Sequence, residues 1–582
     1  MSQRFRRRPS LLTLVPAAML GLSLLAAPSQ GEAGPPPPPP PDGGGAAAAG
    51  APAPPPAPPP TAAPAGSPMA QGEAAYKAED YEAAAIQFHK IASGEIPGDV
   101  PRSQFWLGKS LYKLGFFSAS LSVFDEIVQA GAQHPFHKLT LPWLASLSRE
   151  LPEGAEVLQK VGTYKPTDLE SEEFDEVRDE LYYLLGRFYY QKGDLAQGIA
   201  LLDQVPKTSD YYIPAKFFLG VAYTRDWKGE PAVESFKEVL RRSIALREAA
   251  EGERKKAKKK KVKVKGKGRR GRKSKTSIEL TFEDEMRQYE HLAALGLANI
   301  FYMVGKFDTA IKYLDKVPLD SAYFLDAIHW AAWAEFRMVE VDEEKANQHY
   351  QRTLGYVHTL NAPFFEDYLY PDALKLKAVT YYFNCRYDSA KRTVDEFNRR
   401  YPQTMEDLKG ILEKAPEDFQ LYDLALKIRQ EDSGLDPFVE QVALKALQDK
   451  QLGKYFAYVE ELEREMEMFE DMSGNFKSAG VGERVTEDLD LALSQAREAT
   501  GAEARTRITG MINEIKSLKI EMIKVQFEIL EKRKQQKELE AYPPKPEKPH
   551  IDSEHEIYKY NGEYWQDELG YYRYEVTSIC KE

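Results

Sequence analysis

Cysteine is almost missing from this chain: the 582 residues hold two, Cys385 and Cys580. An oxidising compartment would permit a bridge between them, but spacing alone leaves paired and unpaired states equally open. No apolar run long enough to cross a bilayer occurs beyond the N-terminus. Catalytic motifs are missing as well. Gly266-x-Gly268-x-x-Gly271 has the spelling of a dinucleotide fingerprint, yet it sits inside a lysine run with no strand before it. His134 and His137 have metal-compatible spacing without a nearby Cys or a third ligand, and read as turn or surface histidines. These gaps argue against a cofactor, a bound metal and an enzyme.

Charge is uneven. The formal net charge is −12, and Arg254–Lys275 carries fifteen Lys and Arg and no acid, which leaves about −27 on everything else. An acidic body with one cationic run is not a general nucleic-acid binder. The N-terminus has four arginines from Arg4 to Arg8, an apolar stretch from Leu11 to Ala27, and small residues near Ser29 and Ala33. Residues 1–33 therefore read as a cleaved secretory signal, with an uncleaved anchor as the other reading. No Cys lies near the cleavage region, which argues against a lipid anchor. Export to a periplasmic or envelope-associated site is the expectation. Residues 34–70, rich in Pro, Ala and Gly, are expected to be a disordered spacer.

From residue 71 to 402 the sequence repeats at intervals close to 34 residues. One unit has Leu185-Gly186, Tyr189-Tyr190, Gly193-Asp194, Leu202 and Pro206; the next has Leu219-Gly220, Tyr223, Ala232 and Phe236. Others show Leu107-Gly108, Tyr112, Gly115, Phe117 and Phe124; Ala298, Phe301-Tyr302, Gly305, Phe307, Ala310 and Pro318; and Tyr381-Tyr382, Tyr387, Ala390, Phe397 and Tyr401-Pro402. Weaker copies end in Ala84/Phe88 and Ala346/Tyr350, and a degenerate unit fills His134–Val161. The small residues let paired helices approach, and the large ones fill the gap to the next hairpin. Gly108-Lys109-Ser110, which has the look of a P-loop end, is explained by this packing.

The pattern resembles the tetratricopeptide repeat family, over a little more than half the chain. The resemblance implies an all-α fold with a helical solenoid, the basic run interrupting it, and Tyr401-Pro402 as a repeat ending. It also implies that the position of Tyr76, Tyr112, Tyr190, Tyr302 and Tyr382, late in each first helix, faces a partner-binding groove; Thr224 and Met338 take that position in two other repeats. Tyrosine suits such recognition, with interhelical core filling as the alternative.

Beyond the repeats, 403–540 reads as helical, with a loop at Ser473–Glu483 and a heptad of Ile508, Met511, Ile515, Leu518, Met522, Val525 and Ile529 over 508–540. That helix predicts either self-association as a coiled coil or packing back on earlier helices. A Pro-rich linker at 541–550 leads to an aromatic module at 551–582, expected to be a β-hairpin around Asn561-Gly562. In the basic run Lys255, Lys256, Lys258, Lys259, Lys260, Lys261, Arg269, Arg270 and Arg272 are candidates for contact with anionic envelope surfaces. A solvated loop and nucleic acid are the other readings. The functional expectation is a protein-binding envelope scaffold resembling those of outer-membrane assembly, division or gliding motility. Its rival is an enzyme or enzyme subunit acting on wall polymers through the C-terminal region.

Overall fold

The structure, a computed structural model, describes residues 66–261, 282–365, 370–536, 548–551, 553 and 556–580. The expected signal, the spacer through 65, the basic run from 262 and the linker through 547 lie outside the described residues. Among the described residues there are twenty-one α-helices and no strand. The chain is all-α.

It divides into two bodies, one formed by 23–194 with 454–496, the other by 195–453 with 497–582. The smaller contains α1 Pro68–Lys77, α2 Tyr81–Ala92, α3 Val100–Leu114, α4 Phe117–Ala130, α5 His137–Glu150, α6 Val157–Val161 and α7 Arg178–Lys192. The larger has α8 Leu195–Leu202, α9 Tyr212–Arg225, α10 Gly229–Lys261, α11 Phe282–Met303, α12 Phe307–Leu314 and α13 Phe324–Met338. It continues with α14 Ala346–Leu360, α15 Pro371–Phe383, α16 Tyr387–Lys414, α17 Asp418–Arg429 and α18 Pro437–Leu447. Then come α19 Lys450–Glu470, α20 Gly474–Ser478 and α21 Gly480–Gln536. By the division above, most of α19, α20 and the start of α21 belong to the smaller body, and α21 from Arg497 to the larger.

Neighbours in sequence are neighbours in space. Each helix packs on the next from α1 to α7 in the smaller body and from α8 to α16 in the larger. The reason is a repeated pair of residues sixteen apart. A Cβ on Gly72, Gly108 or Gly220 would lie 2.6–2.8 Å from the ring of Phe88, Phe124 or Phe236. Only hydrogen at those positions lets a fully buried ring sit flat against the first helix. Phe236 also covers Gly296 on α11, at 2.7 Å, so one ring locks three helices. Each such ring contributes about 1.5–3 kcal/mol of burial.

Five sequence expectations are corrected. The first helix begins at Pro68, inside the expected spacer, because Ser67 accepts from Ala70 N–H and Pro68 is suited to the first turn. The basic run, expected to interrupt the repeats as a loop from Arg254, begins as helix: the backbone of α10 is helical through Lys261. Arg247 pairs with Glu290 of α11 at 2.6 Å and with Glu251 at 3.1 Å, which carries the helix outward. Pro402 ends nothing, since α16 continues to Lys414 with Thr404, Met405, Leu408 and Ile411 extending its buried face. Residues 473–483 are not an open loop: Ser473 caps the short α20, and α21 starts at Gly480. The hairpin expected at the C-terminus forms no strand, because its backbone bonds go to helix α14 and the α15–α16 turn, as described below.

The heptad residues of α21 face inward. Ile508, Ile515, Met522, Val525 and Ile529 are all at most 1 % exposed. Arg507 pairs with Asp449 and Arg505 with Asp418, and the carbonyl of Asp418 occupies the place a Cβ on Gly501 would take. That seam is used within the larger body.

Candidate functional site

The hairpin turns share one geometry. Each of Glu79, Gly115, Trp227, Gly305 and Cys385 has positive φ. Its N–H donates to the carbonyl three residues back, on Tyr76, Tyr112, Thr224, Tyr302 and Tyr382, and the following N–H reaches the residue before that, at 2.8–3.2 Å. This doubly bonded helix stop is the Schellman arrangement. Gly193, also at positive φ, donates to the Tyr190 carbonyl at 3.1 Å. The expected tyrosine position is therefore the last full turn before the chain reverses.

Four of these tyrosines meet the aromatic residue that opens the next helix. Ring centroids are 5.2 Å apart for Tyr76–Tyr81 and Tyr112–Phe117, 5.1 Å for Tyr302–Phe307 and 5.7 Å for Tyr382–Tyr387. Offset and edge-on pairs of this kind add about 0.5–1.5 kcal/mol beyond area. The tyrosines thus hold their own turns, and burial separates them. Tyr190 and Tyr302 are 3 % and 8 % exposed, which removes their rings from any open surface. Tyr76, Tyr112 and Tyr382 are half-buried.

The structure brings Tyr76 and Tyr112 together with residues the repeat pattern did not single out. Tyr76 stands edge-on to Trp106 at 5.0 Å, and Tyr112 edge-on to Trp143 at 5.4 Å. Lys109 Nζ lies 3.7 Å from the Trp106 ring centre, 5.2 Å from Tyr76 and 5.3 Å from Trp143. Burial lowers the Lys109 pKa to about 8, against the opposing pull of Glu73. A partly desolvated ammonium over aromatic faces is a strong cation–π arrangement. It leaves a half-exposed patch of rings around one cation. The signal was present in sequence: Trp106, Lys109 and Tyr112 fall at helical spacing of three on α3.

The larger body buries two clusters of charge. Asp372 accepts from Trp333 Nε1 at 2.7 Å, meets His329 Nε2 at 3.1 Å and Lys375 Nζ at 2.5 Å, and Lys375 continues to Glu521 at 3.0 Å. Burial pushes the Asp372 carboxyl up, but the His329 hydrogen bond and Lys375 outweigh it and hold it well below the usual range. Glu335, 1 % exposed, joins His349 at 2.5 Å and Arg352 at 3.0 Å. These groups point at one another and tie α13, α14, α15 and α21.

In the smaller body Glu465 of α19 does what Phe116 cannot. The first turn of α4 has no side-chain cap of its own, and Glu465 Oε1 accepts the Ser118 N–H at 2.7 Å. Burial raises the Glu465 pKa to about 7, although that bond opposes the rise.

The last described segment, from residue 556 to 580, lies on the larger body. Cys385 and Cys580 are disulfide-bonded, joining residues 195 apart. Gly570 N–H donates to Thr359 Oγ1, Tyr574 N–H to the Gln351 carbonyl and Ile579 N–H to the Asn384 carbonyl. A Cβ on Gly355 would lie 1.8 Å from the Tyr572 carbonyl oxygen, so the segment depends on glycine there.

His134 and His137 are used locally: His134 Nδ1 accepts from Phe136 N–H, and His137 stacks on Tyr164 at 4.4 Å. Among the described residues no cluster of His, Cys, Asp or Glu could hold a metal, and no helix is long and apolar enough to cross a membrane. Gly108 and Ser110 are occupied within the hairpin, Gly108 under Phe124 and Ser110 Oγ on the Trp106 carbonyl. Of the cationic candidates, Lys255–Lys261 belong to the α10 backbone, while Arg269, Arg270 and Arg272 lie outside the described residues. No family model matches the chain, and no curated protein matches it.

Proposed function

We propose that the protein is a non-enzymatic, protein-binding scaffold of a bacterial cell envelope, its hairpins forming a tetratricopeptide-like solenoid that helps assemble a multiprotein complex. The observation that carries this reading is the recurrence of one hairpin geometry behind Tyr76, Tyr112, Thr224, Tyr302 and Tyr382, with the same close helix contact sixteen residues apart. Hairpins that stack in sequence offer long surfaces and little enclosed space, which suits partner recognition. The Tyr76–Trp106–Lys109–Tyr112–Trp143 patch is the surface we assign to that partner. Aromatic faces supply contact area at low entropic cost, and the ammonium favours a partner with an acidic group. The apolar, arginine-led N-terminus supports export. The complex would be of the outer-membrane assembly, division or gliding-motility kind, with the lysine run adding contact to anionic surfaces.

The test is crosslinking in the native cell followed by identification of what co-purifies, with the unaltered chain compared against Trp106→Ala/Lys109→Met. A partner captured by the first and lost from the second supports the assignment. Equal capture by both removes the patch from the interface, and no captured protein at all removes the scaffold reading.

A further inference from the structure

A cavity of about 330 Å³ opens where the C-terminal segment meets α14, α15 and α16. That volume is at the lower end of the range of roughly 300–1,000 Å³ typical of small-molecule sites. Three of its walls are helical: Leu354, Val357 and His358 from α14, Leu374 and Lys377 from α15, and Glu396 and Arg400 from α16. The fourth is the segment itself, through Tyr560, Tyr564 and Tyr574.

His358 is the unusual member. Its ring stacks on Tyr564 at 4.6 Å and stands edge-on to Tyr560 and Tyr572, both at 4.8 Å. Its Nε2 is buried and has no hydrogen-bond partner. A buried ring nitrogen without a partner costs about 1–3 kcal/mol. Burial, aided by nearby Lys377, lowers the His358 pKa to about 4, so the ring is neutral near pH 7 and offers one directional hydrogen bond. The charged walls are two cations, Lys377 and Arg400, against one carboxylate, Glu396. The lining therefore combines flat aromatic faces, scattered polar ends including Asn361, and one excess positive charge.

We propose that this cavity binds a single sugar ring carrying a carboxylate. Lys377 and Arg400 take the carboxylate, Glu396 and Asn361 take hydroxyls, and the tyrosine faces pack on the ring's C–H surface. The fit follows from the chemistry of the walls: a purely apolar ligand would strand the polar groups, and a neutral sugar would leave the excess cation unanswered. Because one wall belongs to the segment held by Cys385–Cys580, the disulfide is part of the site's construction. This site is independent of the scaffold reading and does not stand or fall with it.

The experiment is titration of the purified full chain with glucuronate, followed by saturation-transfer NMR and calorimetry, with glucose as the neutral probe. Saturable glucuronate binding is expected, at least tenfold tighter than for glucose. K377Q/R400Q should weaken it tenfold or more with an unchanged helical spectrum, while K377R retains it. C580S should also weaken it, by loosening the tyrosine wall. The proposal is overturned by no saturable glucuronate binding at millimolar concentration. Equal affinity for the two sugars, or binding unchanged in both K377Q/R400Q and C580S, overturns it as well.

Discussion

The two bodies use the same hairpin turn and spend their polar residues differently. In the smaller body, Tyr76 and Tyr112 remain half-exposed and gather with Trp106 and Trp143 around Lys109. In the larger body Tyr302 is covered while Tyr382 is half-buried, and Lys375 sits inside the Asp372–Lys375–Glu521 network. One station in a repeat can therefore end as surface or as core, and what packs outside the hairpin decides which. A half-exposed cation with ring neighbours is available to a partner. A buried one is committed to the fold.

The largest effect separating the bodies should come from their charges. Asp372→Ala leaves Lys375 and His329 buried without their shared carboxylate, and should lower the larger body's stability by about 3–5 kcal/mol. Lys109→Met, which keeps most of the stem over the same rings, should cost less than about 1 kcal/mol. Urea denaturation of the two variants measures this, and equal losses would erase the distinction. Next come the tyrosines. Tyr302→Ala should destabilise by about 3 kcal/mol, near the value for buried aromatic truncation, and Tyr112→Ala by about 1 kcal/mol. If both cost the same, exposure at this station has no energetic meaning.

A smaller effect concerns pH. Glu465 has a folded pKa near 7 against an ordinary value of 4.5, so the folded state holds a proton that the unfolded state releases. Its contribution is complete below about pH 4.5 and is lost as pH rises through about 7. Glu465 should therefore contribute a fall in melting temperature between pH 5 and 8, against the rise with pH that histidines of lowered pKa such as His358 contribute below about 6.5. Glu465→Gln, which has no proton to lose, should flatten that slope; an unchanged slope would mean another group sets it. The least effect is expected from shortening the lysine run. Deleting 262–275 should leave the unfolding free energy within about 0.5 kcal/mol of the original, as for surface changes generally. It should reduce salt-sensitive sedimentation with anionic vesicles. Undiminished sedimentation would assign that binding elsewhere.

Much of the helical plan was readable in advance. Gly108 and Phe124, or Gly220 and Phe236, are close enough in sequence for their spacing to announce a hairpin, and Gly115, Gly193 and Gly305 mark its turn. The helix ends were less readable. Pro402 was expected to end a repeat, yet the buried stripe from Thr404 to Ile411 carries α16 past it. The aromatic tail was expected to pair with itself. It bonds instead to Gln351, Thr359 and Asn384, because those helices offer it acceptors and the Gly355 gap admits its backbone.

By itself the sequence determined what short-range physics controls: the helical period, the small-against-large helix contact, and the left-handed turn where Gly115, Gly193 and Gly305 mark it. These need fewer than twenty residues of chain, and each is the same wherever it recurs. Tertiary structure alone decided which tyrosines stay open, that Lys109 sits among rings, and that Glu465 caps a helix 347 residues away. It also decided that Cys385 meets Cys580 and that His358 keeps a buried nitrogen without a partner. Those outcomes depend on which surfaces exclude water from one another across long stretches of chain, and no local pattern records that.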